Sequence, residues 1–403
     1  DPLLMKKRII TAALLAVLFH PKAQAQSDST STYKKQKLKI EEVNFISSYY
    51  TQTGDNSAVT GGKGTEKLTD IATQFEVILT KKGRAQRSHQ FNFALGVDSY
   101  TSASSDKIDP NSVTSASYQD MRVYPSGQYT YKNEEKNYAV TTGLSASAEY
   151  DYISTGANVG FIKNSKDNNR EFSAKASVFL DTWKVILPIE LRGNPSDNQA
   201  NHLDSKPRNS YNLGLVYSHV VNKVFQLSIM ADIGYQQGLL GTKFNRVYFN
   251  NFAVASEKLP ETRFKIPIGI RANYFLGDHW VFRSLYRYYS DSWNIQSHTF
   301  SFEPVYKINA FSSLAFPYRF YTQTQAKYFK EIFQHTPGTE FYTSDFDLSQ
   351  FSSHMFGLAY HKTDTDRGIF NIKRIHSFEL RYGYYTRDNG LSSHILTLAL
   401  QFK

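Results

Sequence analysis

The side chains best suited to chemistry in this chain are histidines, because the sequence contains no cysteine. Thiol catalysis, thiolate metal sites and disulfide bonds are therefore excluded. Four histidines fall in strand-like segments where a neighbouring serine could serve as a nucleophile: His219, His298, His376 and His394. No G-x-S-x-G motif is present, and no Ser–His pairing follows from the spacing. We predict no catalytic residues, with a lipid-modifying enzyme as the alternative.

Aspartates occur in two loop-like segments rich in Ser, Asn and Gly, residues 54–70 and 98–117. Carboxylate and hydroxyl oxygens suit Ca²⁺, although the spacing fits no EF-hand loop. Ordinary Asx-rich turns explain the same composition. We predict no cofactor, and a calcium site at Asp106 and Asp109 remains an alternative. The distinctive positions of the two loops are Asp55, Asn56, Gly61, Gly62, Gly64, Asp106 and Asp109.

The beginning of the chain has the pattern of an export signal. Met5–Arg8 is basic, Ile9–Phe19 is apolar and too short to span a bilayer, and Ala23-Gln24-Ala25 resembles a cleavage site. Residues 1–4 precede a plausible initiator, and we expect them to be foreign to the natural product. The expected organisation is a signal peptide (1–25), a periplasmic segment (26–37) and one domain (38–403).

Within that domain, apolar residues recur with a period of two. In 263–276, for example, Phe264, Ile266 and Ile268 alternate with polar or small residues. Such segments are strands with one apolar face. Many exceed the usual length of about 5–6 residues and approach the roughly ten that cross a membrane at a tilt. A mean hydropathy of −0.46 excludes a polytopic helical membrane protein. The sequence predicts an all-β fold, a closed antiparallel transmembrane β-barrel of about 16 strands (14–16).

The connections between these strands alternate in length. Bacterial barrels have short periplasmic turns and long external loops, and 51–70, 101–117, 183–209, 237–261 and 327–349 are the long ones here. The chain ends in a strand with Leu396, Leu398, Leu400 and Phe402 on one face. Pairing of that strand with the first would close the barrel, and lipid would cover its apolar face. This predicts the outer membrane of a Gram-negative bacterium, with a soluble two-sheet sandwich as the alternative.

The strand face opposite the apolar residues is expected to line the lumen. Its predicted charges are mostly acidic in the first half of the chain and mostly basic in the second: Glu76, Asp98, Glu149, Asp181, Lys265, Arg271, Arg283, Arg287, Glu303, Arg319, Glu379 and Arg381. One wall would then be negative and the opposite wall positive. Such a field suits a wet pore for small polar solutes. Alternatively, ion pairs and aromatic side chains fill the lumen.

Several short stretches resemble a known exported bacterial family. They are Gly54–Gly62, Gly64-Thr65-Glu66, Tyr100–Asp109 and Arg122-Val123-Tyr124-Pro125-Ser126, and the family is domain of unknown function 3570. The resemblance runs from about residue 38 to the C-terminus, with its strongest motifs in the first third. It implies an outer-membrane barrel without assigned catalytic residues.

Partners follow from the same resemblance and from the predicted barrel. Members of the family tend to be encoded beside a flavin transferase, a thioredoxin-like protein and a small lipoprotein, which implies an envelope redox context. The terminal aromatic strand resembles the signal read by barrel-assembly machinery, and outer-membrane lipid would surround the barrel. The net charge of +10 comes without a Lys/Arg cluster, so no nucleic acid is expected. The predicted function is a non-enzymatic channel for small polar solutes or an envelope scaffold.

Overall fold

The computed structural model describes residues 37–83, 86–101, 119–192, 204–364 and 368–403. The predicted signal peptide and periplasmic segment, and Asp106 and Asp109, lie outside the described residues. Among the described residues, no helix has both the length and the apolar character needed to cross a membrane.

The described residues form nineteen strand segments and three short 3₁₀ turns. The strands are β1 Lys39–Thr53, β2 Leu68–Lys82, β3 Arg87–Thr101, β4 Gln119–Asn133, β5 Tyr138–Ala148, β6 Tyr152–Asn164, β7 Arg170–Lys184, β8 Ser205–Asn222, β9 Phe225–Gly238, β10 Arg246–Tyr248, β11 Val254–Ser256, β12 Thr262–Leu276, β13 Trp280–Asp291, β14 Gln296–Lys307, β15 Ser312–Ala315, β16 Tyr318–Gln323, β17 Phe351–Thr363, β18 Ile375–Arg387 and β19 Ser392–Phe402. The turns are Ala58–Thr60, Ile189–Leu191 and Phe346–Leu348.

All the long strands belong to one closed antiparallel barrel. Neighbours in sequence are neighbours in the sheet, and β1 pairs with β19 from Val43–Phe402 to Thr53–Ser392. The segments β15 and β16 together make one barrel strand, so the barrel has sixteen strands. The break falls at Phe316-Pro317, since proline has no N–H to donate to a sheet. The Pro317 carbonyl still accepts a bond of 2.8 Å from Gly357 N.

The two faces of the barrel wall differ in polarity. On β12, Phe264, Ile266, Ile268 and Ile270 lie on one face, and each is 39–47% exposed. On the other face, Arg381 of β18 contacts Glu303 of β14 at 3.0 Å, across two intervening strands. Side chains can reach over two strands only where the wall curves toward itself. The charged face is therefore the inner one, and the apolar face is the outer one.

The predicted barrel is confirmed in its strand number, its closure and its alternation of connections. The structure adds two details that the two-residue period does not show. One barrel strand is interrupted at Pro317, between β15 and β16, and a hairpin of β10 and β11 occupies the loop between β9 and β12. The 364–374 connection is an additional long one at the end where the other turns are short. We refer to the two ends as the short-turn end and the long-loop end.

Most of the fully buried apolar residues lie in or beside the long loops rather than between the strands. One cluster comprises Leu259, Trp293, Ile295 and Ala326, and another comprises Ile186 and Phe244 with Val59 packed against them. A smaller cluster of Val281, Val305, Ala315 and Ala359 lines the wall near the short-turn end. The loops at the long-loop end thus have a core of their own.

Candidate functional site: the lumen and its loop cap

Five connections at the long-loop end contact one another, and we call their described residues the cap. They are 54–67, 185–192, 239–261, 324–350 and 388–391. The first leaves β1 and β2, whereas the third leaves β9 and β12 on the opposite side of the barrel. Contacts between these two loops require at least one of them to reach over the mouth of the barrel. The cap therefore covers part of the opening.

Arg246 joins three of these loops. Its Nη1 donates to the carbonyl of Val59 at 2.8 Å, and its Nη2 donates to Glu190 Oε2 at 2.9 Å. Only 8% of Arg246 is exposed. A buried guanidinium needs such partners, because an unpaired buried charge is strongly destabilising.

Two of the distinctive glycines explain how closely the 54–67 loop approaches its neighbours. Gly61 and Gly62 have φ of +84° and +83°, which side chains other than glycine rarely adopt. A Cβ at Gly61 would lie 2.6 Å from the Tyr248 ring, and a Cβ at Gly62 would lie 2.5 Å from the Ser344 carbonyl. The glycines are therefore required for docking of this loop against the rest of the cap.

The remaining distinctive positions also hold the loop in place. Asn56 Nδ2 donates to the Asn389 carbonyl at 2.6 Å, and Gly64 N donates to the Asp55 carbonyl at 2.8 Å. The sequence predicted these residues as distinctive without assigning a role. The contacts indicate a structural role in the cap.

The cap also contains carboxyl groups removed from water. Burial raises the pKa of Glu66 to about 7; neighbouring Asp347 raises it too, and Arg387 opposes both. Glu257 is 2% exposed and accepts bonds from Thr242 N at 2.6 Å and Thr343 Oγ1 at 2.5 Å. Burial raises the pKa of Glu257 as well. Protonation can therefore change the charge of the cap near neutral pH.

The structure places the predicted luminal residues of the strands on the inner face. Four of them form one chain of ion pairs near the short-turn end. Glu303 accepts from Arg283 at 2.8 Å and from Arg381 at 3.0 Å, and Arg381 also contacts Glu379 at 3.1 Å. Glu149 differs, since it lies in the tight turn between β5 and β6, at the rim.

On the acidic side, sequence reasoning overlooked two inward-facing bases. Arg122 Nη2 meets Asp98 Oδ2 at 2.5 Å, and Tyr124 donates to Asp98 Oδ1 at 2.9 Å. Arg208 lies opposite Asp181 in the β7–β8 register. The alternation of β4 and β8 placed both bases on the polar face and could have revealed them. The first-half wall is therefore largely neutralised rather than negative.

The second-half wall keeps free positive charge. Among the described residues, no ion pair or hydrogen bond involves the side chains of Arg271 and Arg287, and Arg319 lies 5.9 Å from the Tyr385 ring. Arg287 faces a cavity of about 370 Å³ beneath the cap, lined also by Arg263, Tyr289, Thr299, Tyr321, Gln323 and the carboxylate of Asp347, which pairs with Arg387. The inner surface is thus unevenly basic.

Inner-face side chains also show how full the lumen is. Although it points into a closed barrel, Arg283 has 56% of its side chain exposed. Phe275 is 37% exposed and Ile46 is 42% exposed on the same face. Water-sized space therefore remains beside them, and the lumen is not filled by ion pairs and aromatic rings at these heights.

The structure brings together different acids from those proposed as a metal site, and it gives two of the candidate catalytic histidines tyrosine partners. The acids that come together are Asp120, Glu149 and Asp151, whose oxygens lie within 4.8 Å of one another. On the outer face, His298 and His394 contact tyrosine hydroxyls rather than serines. The Ser–His bond between His361 Nε2 and Ser377 Oγ, 3.1 Å, is on the inner face.

Comparison with known sequences decides the family. A profile described as "Protein of unknown function (DUF3570)" matches residues 107–401. The chain belongs to this family. The DUF3570 match includes the Arg122–Ser126 motif and begins after Gly54–Gly62 and Gly64–Glu66. No curated protein matches the chain.

Solved structures of outer-membrane proteins resemble the chain at low sequence identity and with TM-scores below 0.5. A BenF-like porin from Pseudomonas fluorescens Pf-5 is 10% identical, with 90% of this chain and 97% of that chain covered and a TM-score of 0.40. Pseudomonas aeruginosa OccK1 is 6% identical, with 90% and 97% covered and a TM-score of 0.41. A bacterial polysaccharide outer membrane secretin is 8% identical, with 90% and 98% covered and a TM-score of 0.47. These likenesses concern the fold alone.

Proposed function

We propose that this DUF3570 protein is a non-enzymatic outer-membrane channel for small polar solutes, with a mouth narrowed by the cap. The observation that carries the proposal is the exposure of inner-face side chains inside a closed barrel, with Arg283 as the leading example. Sixteen strands leave room for an aqueous channel. The exposed apolar outer face is what lipid would cover.

The charges of the lumen support a preference for anions. Asp98 pairs with Arg122 and Asp181 lies opposite Arg208, whereas Arg271 and Arg287 have no described ion-pair partner. An uncompensated cation in a narrow passage attracts anions and repels cations. The cavity beneath the cap, with Arg287 at its wall, is the place where a small anionic solute would pause on its way through.

Placement in the outer membrane of a Gram-negative bacterium is part of the proposal. In that orientation the long loops are external and the short turns periplasmic. We also propose that barrel-assembly machinery reads β19, whose outward residues end in Phe402. An envelope scaffold is the second candidate, because five interlocked loops present a fixed surface at the mouth. Flavin-carrying proteins and a small lipoprotein are the proposed scaffold partners.

Planar-bilayer recordings of the refolded full-length chain test the channel. We expect steady, ohmic current, with larger steps when the cap is weakened by Arg246→Met. Heat-modifiable migration on a gel provides the control for folding. If both the natural sequence and Arg246→Met fold but carry no current, the channel is contradicted and the scaffold is the remaining candidate. Copurification from the envelope would then be the decisive measurement for partners.

A further inference from the structure

Three outward-facing histidines share one arrangement, which we call the His clasp. Each histidine lies opposite an aromatic residue of the neighbouring strand: His298 opposite Tyr288, His354 opposite Phe320, and His394 opposite Tyr384. The ring centroids of these pairs are 5.3, 5.2 and 5.1 Å apart. The same arrangement recurs at three strand pairs, β13–β14, β16–β17 and β18–β19. We therefore treat it as a feature of the barrel and not as an accidental contact.

A tyrosine completes each clasp. Its position is two residues before the opposing aromatic residue, on the same strand, and its hydroxyl meets the histidine Nδ1: Tyr286 with His298 at 2.8 Å, Tyr318 with His354 at 3.0 Å, and Tyr382 with His394 at 2.8 Å. The imidazole is therefore held between two aromatic rings. Its orientation is fixed by packing and by one hydrogen bond.

We infer the tautomer of each imidazole from the acidity of the two groups that share this hydrogen bond. A phenol is a stronger acid than a neutral imidazole N–H, so the tyrosine hydroxyl donates and Nδ1 accepts. The proton of the neutral ring is then on Nε2. No described residue accepts a hydrogen bond from Nε2 of these three histidines. Each clasp therefore presents one oriented, unused donor on the outer face of the barrel.

The clasps share one height on the barrel. Each histidine is near the long-loop end of its strand, and three apolar or aromatic outward positions follow it. These positions are Phe300, Phe302 and Pro304 after His298; Phe356, Leu358 and Tyr360 after His354; and Leu396, Leu398 and Leu400 after His394. The donors thus border the apolar belt, at the level where hydrocarbon meets lipid headgroups.

We propose that the three His clasps bind the phosphate groups of lipid A in the outer leaflet. The inference rests on the outer-membrane placement proposed above. A phosphate oxygen is a strong acceptor for an imidazole N–H, and a bond to an ionised group is about twice as strong as one between neutral groups. Tyrosines at the same level suit the interface, since they combine an apolar ring with a polar tip. The three donors give the outer face near the long-loop end a specific affinity for lipid A.

The short-turn end of the barrel has a histidine that serves as a matched control. His89, in the third position of β3, lies opposite Tyr131, and its Nδ1 meets the Tyr129 hydroxyl at 2.8 Å. This fourth clasp is at the short-turn end. In the proposed orientation it faces the inner leaflet, which contains phospholipids rather than lipid A. It has the same chemistry without access to the proposed ligand.

The test is retention of lipid A by the full chain after mild detergent extraction from a Gram-negative outer membrane, measured by mass spectrometry. The triple variant His298→Phe, His354→Phe, His394→Phe keeps the ring packing and removes the donors, and we expect it to lose most of the bound lipid A. His89→Phe should retain the amount bound by the natural sequence. Equal retention by the triple variant, or equal loss by His89→Phe, would overturn the proposal.

Further measurements separate this proposal from its premise and from a failure of the triple variant to fold. Membrane fractionation of the natural sequence tests outer-membrane placement directly, so its failure is distinct from a failure of the clasps. If the triple variant does not fold, single variants replace it, and each is expected to lose part of the lipid A. The variant Tyr286→Phe, Tyr318→Phe, Tyr382→Phe keeps every histidine but frees the tautomer, and it should retain an intermediate amount. Full retention by the folded single variants contradicts the proposal.

Discussion

Arg246 Nη1 donates to the Val59 carbonyl at 2.8 Å, and this bond links loops that leave the barrel on opposite sides. The same guanidinium pairs with Glu190. Arg246 is therefore one of the buried contacts that hold the cap together, beside the Asn56–Asn389 hydrogen bond and the packing of Val59 on Ile186 and Phe244.

Arg246→Met tests the contribution of Arg246 to the cap. A hydrogen bond to a charged group contributes about 1.5–3 kcal/mol, so we expect the 54–67 loop to exchange its amide hydrogens faster. Hydrogen–deuterium exchange of the folded protein measures this. The control is Lys63→Met, which removes an exposed charge from the same loop. Unchanged protection in Arg246→Met would show that other contacts hold the cap.

Docking of the 54–67 loop should weaken as pH rises. The pKa of Glu66 is raised in the folded cap, to about 7. The folded state then binds more protons than the unfolded loop between pH 4.5 and 7, so docking is strongest below that range and is weakened through it. Amide exchange at pH 5.5 and pH 8, corrected for the intrinsic rate, measures the effect. Glu66→Gln should abolish the pH dependence and Asp55→Asn should preserve it. If the pH dependence survives in Glu66→Gln, a group other than Glu66 causes it.

Gly62→Ala should disrupt the cap more than an equivalent change in a turn. The positive φ alone costs roughly 1–2 kcal/mol for a side chain, and the new Cβ would also meet the Ser344 carbonyl at 2.5 Å. Gly277→Ala is the matched control, since Gly277 also has positive φ but nothing within 4 Å. Amide exchange of the cap should rise only in Gly62→Ala. Similar exchange in the two variants would mean that the loop does not dock as described.

Reversal of the free luminal charges should change ion selectivity. Arg271→Glu with Arg287→Glu replaces two cations without described ion-pair partners by two anions, so the reversal potential in a KCl gradient should shift toward potassium. The control is Lys223→Glu, in the tight turn between β8 and β9, which should leave selectivity unchanged. A conducting double variant with the original selectivity would remove these arginines from the conduction path.

The assignment of inner and outer faces can be tested on one strand. Leu398 is on the outer face of β19 and Ala399 is on the inner face, opposite Glu379. Leu398→Lys would put a charge in lipid, at a cost of about 2–4 kcal/mol near the midplane. Ala399→Lys would put it in a polar lumen at little cost. Urea unfolding in vesicles gives both values, and an equal loss of stability would contradict the assignment.

Much of the barrel could be predicted from sequence because its wall is locally encoded. Each strand shows its own two-residue period, and the connections show the alternation of short and long. Pro317 is the instructive exception. Proline lacks the backbone N–H that a neighbouring strand would accept. Whether its absence interrupts the sheet depends on which strand lies beside it, here β14 beside β16.

The residue sequence by itself determined the barrel, its polarity and the polar face of each strand, since alternation needs no information from distant residues. Only the tertiary structure decided which charges are paired, that the 54–67 loop reaches Arg246, and that histidines on three strands share one height. These relations join residues far apart in sequence. They depend on strand register and on loop docking. The periodicity within one segment contains no information about either.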